Sequence, residues 1–275
     1  MARLLDIINS NKSLKQVYKY LELSFHTSYA NVVQNCLSSF QVNVETLTMV
    51  VLDDFCKNVV DEMTKKGFSF RDLAEIKNIL NVYGNAAIEV QSEMVPDTSV
   101  DIEWAISYYD FVRNIYNPEL QILWSKILEI EVKKPQTFFK RTLDVFYRAD
   151  RFEIAWFFEI TKFVFDKACV PEFILTNNKF YPFNQFQTLI DAGFVNASLG
   201  SLSYHDGEVA IHLTSADFKI EITKPPFGFS IYTLTDAGSQ LFDLRPETNS
   251  EEYLSQLKEF IEKRNTAKVS TIIRK

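Results

Sequence analysis

The chain reads as a mainly α protein, with an N-terminal helical part followed by a smaller α+β part. Three observations carry that reading. Apolar residues recur at helical spacing through the first two-thirds of the 275 residues. Five of the seven glycines (Gly193, Gly200, Gly207, Gly228, Gly238) fall past residue 192. In that same region Val209, Ile211 and Leu213 alternate with Glu208, Ala210 and His212, and Phe218, Ile220 and Ile222 alternate with Lys219 and Glu221, the period of half-buried strands. The expected organisation is a helical domain over 1–148, an α+β domain over 149–245, and a C-terminal helix and tail over 246–275.

Taken in order, Leu4, Leu5 and Ile8, then Leu14, Val17, Tyr18 and Leu21, predict the first helices. A helix over Val44 to Lys65 should end at Gly67, and Ser69 should cap another from Phe70 to Val82, with Gly84 behind it. A short helix from Asn85 to Met94 is stopped by Pro96. Asp97 and Thr98 are placed to cap the helix carrying Ile102, Ala105, Ile106, Tyr109 and Val112. Asn117-Pro118-Glu119 reads as N-cap, first-turn proline and first-turn acid. Behind it Leu120, Leu123, Trp124, Ile127 and Leu128 form a one-sided apolar stripe. Pro135 breaks the chain and Thr137 can cap the next helix. Asp150 with Glu153 resembles a capping box before a helix over Ile154 to Lys167.

Past residue 175 a short helix, Phe183 to Ala192, ends at Gly193. Strand-like runs follow at Phe194–Ser198, Leu202–His205, Glu208–Leu213, Phe218–Thr223 and Phe229–Leu234. Thr235 then caps a helix through Phe242, Ser250 starts a last one to about Arg264, and the tail from Thr266 has no readable pattern. Helix, helix, hairpin, strand and Leu234-Thr235-Asp236-Ala237-Gly238 opening a helix is the order of a winged-helix-like domain.

Composition narrows the function classes. With 47% hydrophobic and 24% charged residues the chain can bury a sizeable core. Thirty-six acids against 29 bases, a net charge of -7, argue against a general polyanion binder. The opening MARLLDIINSNK does not read as a signal peptide, since Asp6 and the Asn9-Ser10-Asn11 run interrupt it. The charge-poor stretch between Glu22 and Glu45 is too polar for a membrane span. Cys36, Cys56 and Cys169 are far apart and odd in number, so buried thiols in a reducing cytoplasm are expected.

Asp101-x-x-Trp104, Gln121-x-x-Trp124-x-x-Ile127-Leu128-x-x-Glu131, Pro135-x-x-Phe138-x-x-Arg141-Thr142-Leu143, Phe152 and Leu234-Thr235-x-x-Gly238 form a pattern. It resembles a bacterial family of uncharacterised proteins, a domain of unknown function, some of whose relatives sit near mobile-element and phage-defence genes. The resemblance covers roughly residues 70–160, with a weaker match at the end of the expected wing. It implies a fold neighbourhood and a bacterial origin but no reaction. The family pattern has Pro-Gly where this chain has Pro135-Gln136.

Candidate chemistry is sparse. The helix Phe183 to Ala192, which would read DNA in a winged helix, has no Lys or Arg, and none occurs between Lys179 and Lys219. Phosphate contacts dominate affinity for nucleic acid, so this surface should contact protein instead. The one basic strip is Lys133, Lys134, Lys140, Arg141 and Arg148, read as a solvated face, with an acidic partner or an RNA backbone as the functional alternative. Glu131 continues the apolar stripe, so its carboxylate needs a partner, and Arg141 is the candidate for an ion pair across the Pro135 turn. Asp206, Asp217 and Lys219 loosely match the acids and lysine of a metal-dependent nuclease. His26, His205 and His212 show no zinc spacing, and no phosphate-binding or nucleophile-elbow motif is present.

The expectation is therefore a non-enzymatic bacterial cytoplasmic interaction protein without cofactor, engaging a protein partner or a second copy of itself and neither nucleic acid nor membrane. A regulator or sensor of a phage-defence system is its concrete version. A nuclease on Asp206, Asp217 and Lys219, or a nucleic-acid-binding regulator using the strip at 133–148, is the alternative. Trp104, Trp124, Glu131, Arg141 and Gly238 are expected to be structural.

Overall fold

A computed structural model describes the chain except residues 1, 25–28, 44–45, 167, 179, 206, 214–215, 225, 246–250, 264–266 and 275, and the side chains at 24, 177–178, 216–218, 251 and 274. It is mainly α with small antiparallel sheets, and it divides into two compact units, Met1–Leu143 and Asp144–Lys275.

The first unit holds α1 (Leu4–Ser10), α2 (Lys12–Ser24), α3 (Ala30–Ser39), α4 (Met49–Lys65), α5 (Phe70–Val90), α6 (Ile102–Val112) and α7 (Pro118–Lys133). Two short strands, β1 (Ala2–Arg3) and β2 (Gln41–Val42), pair antiparallel beside them. Helix α5 is the axis of this unit and packs against α2, α4, α6 and α7. Ile76, Ile79, Leu80, Val82, Tyr83, Ala86, Ala87 and Val90 are buried on several of its sides, the mark of a core helix. Its N-terminus is a full capping box, Ser69 with Asp72.

The sequence reading ends this helix at Val82 and starts another at Asn85, but α5 runs through Gly84 without a break. The glycine serves packing: a Cβ at Gly84 would lie 2.7 Å from Leu52 Cδ1, so α4 and α5 approach closely there. Asp101, rather than Asp97 or Thr98, caps α6, accepting from the Trp104 N–H at 3.1 Å. Asn117 caps α7 as expected, with Pro118 in the first turn. Helix α3 fills part of the charge-poor stretch in which the sequence reading placed no element.

Helix α8 (Lys140–Arg148) crosses the division between the units. The second unit then builds α9 (Arg151–Ile160), β3 (Cys169–Pro171), a 3-10 turn over Glu172–Asn178, and α10 (Phe183–Asp191). After these come β4 (Gly200–Tyr204), β5 (Glu208–His212), β6 (Ala216–Ile222), β7 (Phe227–Thr233), α11 (Asp236–Leu241), α12 (Glu251–Lys263) and β8 (Ala267–Arg274). Helix α9 opens on the Asp150–Glu153 capping box. One antiparallel sheet has the order β3-β7-β4 and a second the order β5-β6-β8.

Two features depart from the sequence reading. The expected hairpin β5–β6 forms, with Ile211 opposite Phe218, but the strand after it, β7, joins β3 and β4 in the other sheet. Within the tail that shows no readable pattern, Ala267–Arg274 form strand β8 along β6. Its alternation is unreadable because the register slips between Lys219 and Ile220. Ser270 is the extra residue of a bulge, and its hydroxyl donates to the Lys219 carbonyl at 3.1 Å. Ala267 is thus buried before the bulge, while Ile272 takes the inward phase after it.

Ring contacts fill the space between helices and sheet: Phe157 stacks on Phe194, Phe186 meets Tyr232 edge-on, and Phe165 packs against Phe229. The Leu-Thr-x-x-Gly segment is a latch. The Thr235 hydroxyl donates to the Gly193 carbonyl at 2.6 Å and accepts from the Gly238 N–H at 3.0 Å. A Cβ at Gly238 would run into the Phe194 carbonyl oxygen, which is backbone and cannot swing away.

The two buried glycines should therefore differ in urea unfolding. Gly238→Ala should cost about 2–3 kcal/mol, because it overpacks against backbone. Gly84→Ala should stay within about 1 kcal/mol of the native chain, because the Leu52 tip can move and alanine favours the helix. Equal losses would contradict this account.

Candidate functional site

The motif residues of the first unit converge on the turn between α7 and α8. Glu131, in the last turn of α7, is 3% exposed. Its Oε1 accepts from the Gln136 N–H at 2.6 Å, and its Oε2 accepts from the Thr137 and Phe138 N–H groups, each at 3.1 Å. From the other side the Trp104 indole donates to the Phe138 carbonyl at 2.8 Å, and the Thr137 hydroxyl donates to Lys134 O at 2.6 Å. The turn is thus clamped through its donors and its acceptors.

The expected ion pair between Glu131 and Arg141 is not formed. Arg141 is exposed, and the carboxylate takes backbone amides instead, which reach it from only five to seven residues on. Amides cost no second buried charge, so they satisfy a buried carboxylate more cheaply than a guanidinium that would also have to be desolvated. Thr137 does not cap α8, which starts three residues later. The pair Pro135-Gln136 is where glycine would fit best, since Gln136 sits at φ +68°.

Behind this turn lies a ladder of rings. Trp104 stacks on Tyr108 at 5.0 Å and meets Tyr20 edge-on, Tyr108 and Phe111 pack against Trp124, and the Tyr108 hydroxyl donates to the Trp124 carbonyl at 2.6 Å. Trp104 and Trp124 are both buried. A second polar cluster, missed by the sequence reading, joins α5 to α7. Gln121 donates to Asn78 Oδ1 at 3.0 Å and to Ile115 O at 2.8 Å, while Asn78 donates to Arg113 O at 2.9 Å. Nearby, buried Glu75 accepts from Arg71 Nε at 2.8 Å and from the Tyr29 hydroxyl at 3.3 Å. The available signal was a polar residue at the core phase of a helix.

The basic strip is largely neutralised where it stands. Lys133 contacts Glu129 at 3.1 Å and Glu93 at 3.4 Å, Lys140 pairs with Glu103, and Arg148 pairs with Asp144 at 2.9 Å. Lys134 and Arg141 remain exposed without an ion pair among the described residues. Helix α10 presents Phe183, Asn184, Gln187 and Asp191 to solvent and buries Phe186 and Leu189. Of the proposed nuclease residues, Asp206 and the side chain of Asp217 lie outside the described residues, while Lys219 is exposed on β6. His26 also lies outside them, and His205 and His212 are both exposed. Among the described residues no three His, Cys, Asp or Glu side chains come together to hold a metal. No described helix is long and apolar enough to cross a membrane. Burial pushes all three thiols up, keeping Cys36, Cys56 and Cys169 in the protonated form.

Residues 62–167 match the family model of a protein of unknown function, DUF2806. The matched stretch runs from the end of α4 through α9 and contains the whole clamp, from Asp101 and Trp104 to Glu131 and Phe138. The Leu234 to Gly238 latch lies beyond it. No curated protein and no solved structure matches the chain.

Burial pushes the Glu131 carboxyl up, the three amides pull it down, and Asp101 adds to the upward push; the net direction is up. The folded chain therefore holds the proton more readily than the unfolded one. The pH-linked stability from Glu131 is complete in acid and is lost as pH rises through the folded value. Glu131→Gln replaces one acceptor by a donor facing an N–H and should cost about 1–3 kcal/mol. The stability gap to this variant, measured by urea unfolding over a pH series, should be widest in acid and narrow toward neutral pH; a gap that widens with pH contradicts it. Gln136→Gly should raise stability by about 1 kcal/mol in the same assay, since it removes left-handed strain. A loss on Gln136→Gly would mean the side chain contributes more than its backbone strain costs.

Proposed function

We propose that this chain is a non-enzymatic interaction protein of a bacterial cytoplasm, whose second unit is a winged-helix-like module used to contact protein. One observation carries the reading: a winged-helix strand order combined with a helix face that lacks cations. The order β3-β7-β4, with α9 before β3 and α10 between β3 and β4, matches the arrangement in which the first short strand pairs with the last strand of the wing. The hairpin β5–β6 is then an elaboration between the two wing strands. On the exposed side of α10, Phe183 is 52% exposed beside Asn184, Gln187 and Asp191. Phosphate neutralisation by Lys and Arg is what binds a winged helix to DNA, whereas an exposed aromatic among neutral polar groups suits a protein surface. The pairing of Lys133, Lys140 and Arg148 with local acids lends no support to the basic strip as a nucleic-acid contact.

The partner is a second protein or a second copy of the chain. The narrower role, regulator or sensor in a phage-defence system, rests on the family resemblance alone. Native mass spectrometry of the protein purified gently from its host tests the reading. The expected spectrum is a homo-oligomer or a stoichiometric complex with another protein, dissociated by Phe183→Asp. A bare monomer, or a monomer carrying nucleic acid or a divalent metal, would overturn it.

A further inference from the structure

The core of the first unit is not filled. Between α1, α2, α3, α4 and α5 lies a cavity of about 70 Å³, room for several waters by volume. Its walls are mostly hydrocarbon, from residues such as Leu14, Val17, Val33, Phe55 and Leu80, with the phenols of Tyr18 and Tyr83 as the polar exceptions, and no charged residue lines it among the described residues. The polar tip of Tyr18, at the edge, is engaged by Gln34. A space lined almost wholly by hydrocarbon offers water few partners, and apolar cavities of this kind take up benzene or xenon. The described lining residues are buried except Tyr18 on α2 and Leu52 on α4, which are half-buried.

The two smallest lining residues, Gly84 and Ala87, sit about one turn apart on α5 and both face this space. A Cβ at Gly84 would meet Leu52, whereas a larger side chain at Ala87 would extend into the space. Most of the lining precedes residue 62 and so lies outside the family-matched stretch.

We infer that this cavity is a binding site for a small uncharged hydrocarbon, in the size class of benzene. The volume is far below that of sites for drug-sized ligands or cofactors, and the absence of charged lining residues leaves a charged head group without a partner. The inference does not rest on the winged-helix-like reading of the second unit.

The test is thermal unfolding of the full chain with increasing benzene. A ligand that binds only the folded state raises the melting temperature with concentration, by about a few degrees near saturation. Ala87→Leu, which fills the cavity from α5, should abolish that rise. No rise in the native chain, or the same rise in Ala87→Leu, would overturn the inference. If Ala87→Leu loses its cooperative transition, a crystal of the native protein under xenon pressure decides by position. Xenon between Val17, Val33 and Ala87 supports the site, and its absence there overturns it.

Discussion

A carboxylate buried at 3% exposure needs hydrogen-bond donors, and the way Glu131 finds them organises the helical unit. Its two oxygens take three consecutive amides of the turn after α7. To aim those amides inward the chain must reverse sharply, and Gln136 adopts a left-handed conformation to do so. The reversal delivers the Phe138 carbonyl to the Trp104 indole. Trp104 in turn is positioned by Asp101 at the start of α6 and stacked on Tyr108. Caps, turn and ring ladder are one connected device, and all of it except Tyr20 lies within the stretch that the DUF2806 model matches. The same geometry engages both oxygens of Glu131 with backbone amides.

The second unit is held by a comparable close approach. Thr235 bridges the end of α10 and the start of α11, and Gly238 lets the α11 backbone come up against Phe194. These contacts fasten the helix after β7 to the segment that leaves α10, which fixes how α10 lies over the β3-β7-β4 sheet.

Most of the basic strip is neutralised by acids on the same or neighbouring helices, and α10 offers amides and one acid. The net charge of the chain is -7. Exposed aromatics, among them Phe183 and Phe152, are scattered over the described surface.

Local rules made much of this protein readable. Asn117-Pro118-Glu119, Ser69, and Asp150 with Glu153 announced their helices because a cap acts on amides only a few residues away. The alternation at Val209 to Leu213 announced a strand because side-chain direction follows the backbone pleat. What needed the tertiary structure involves groups that meet only after folding. Gly84 continues a helix because Leu52, 32 positions earlier, occupies its missing side chain. The strand at 267–274 hides its pattern behind a bulge set by the partner strand β6. Glu131 was legible as a buried carboxylate needing a partner, but its partners were not. Residue types announce charge, whereas backbone amides carry no letter in the sequence, and only the path of the turn decides where they point.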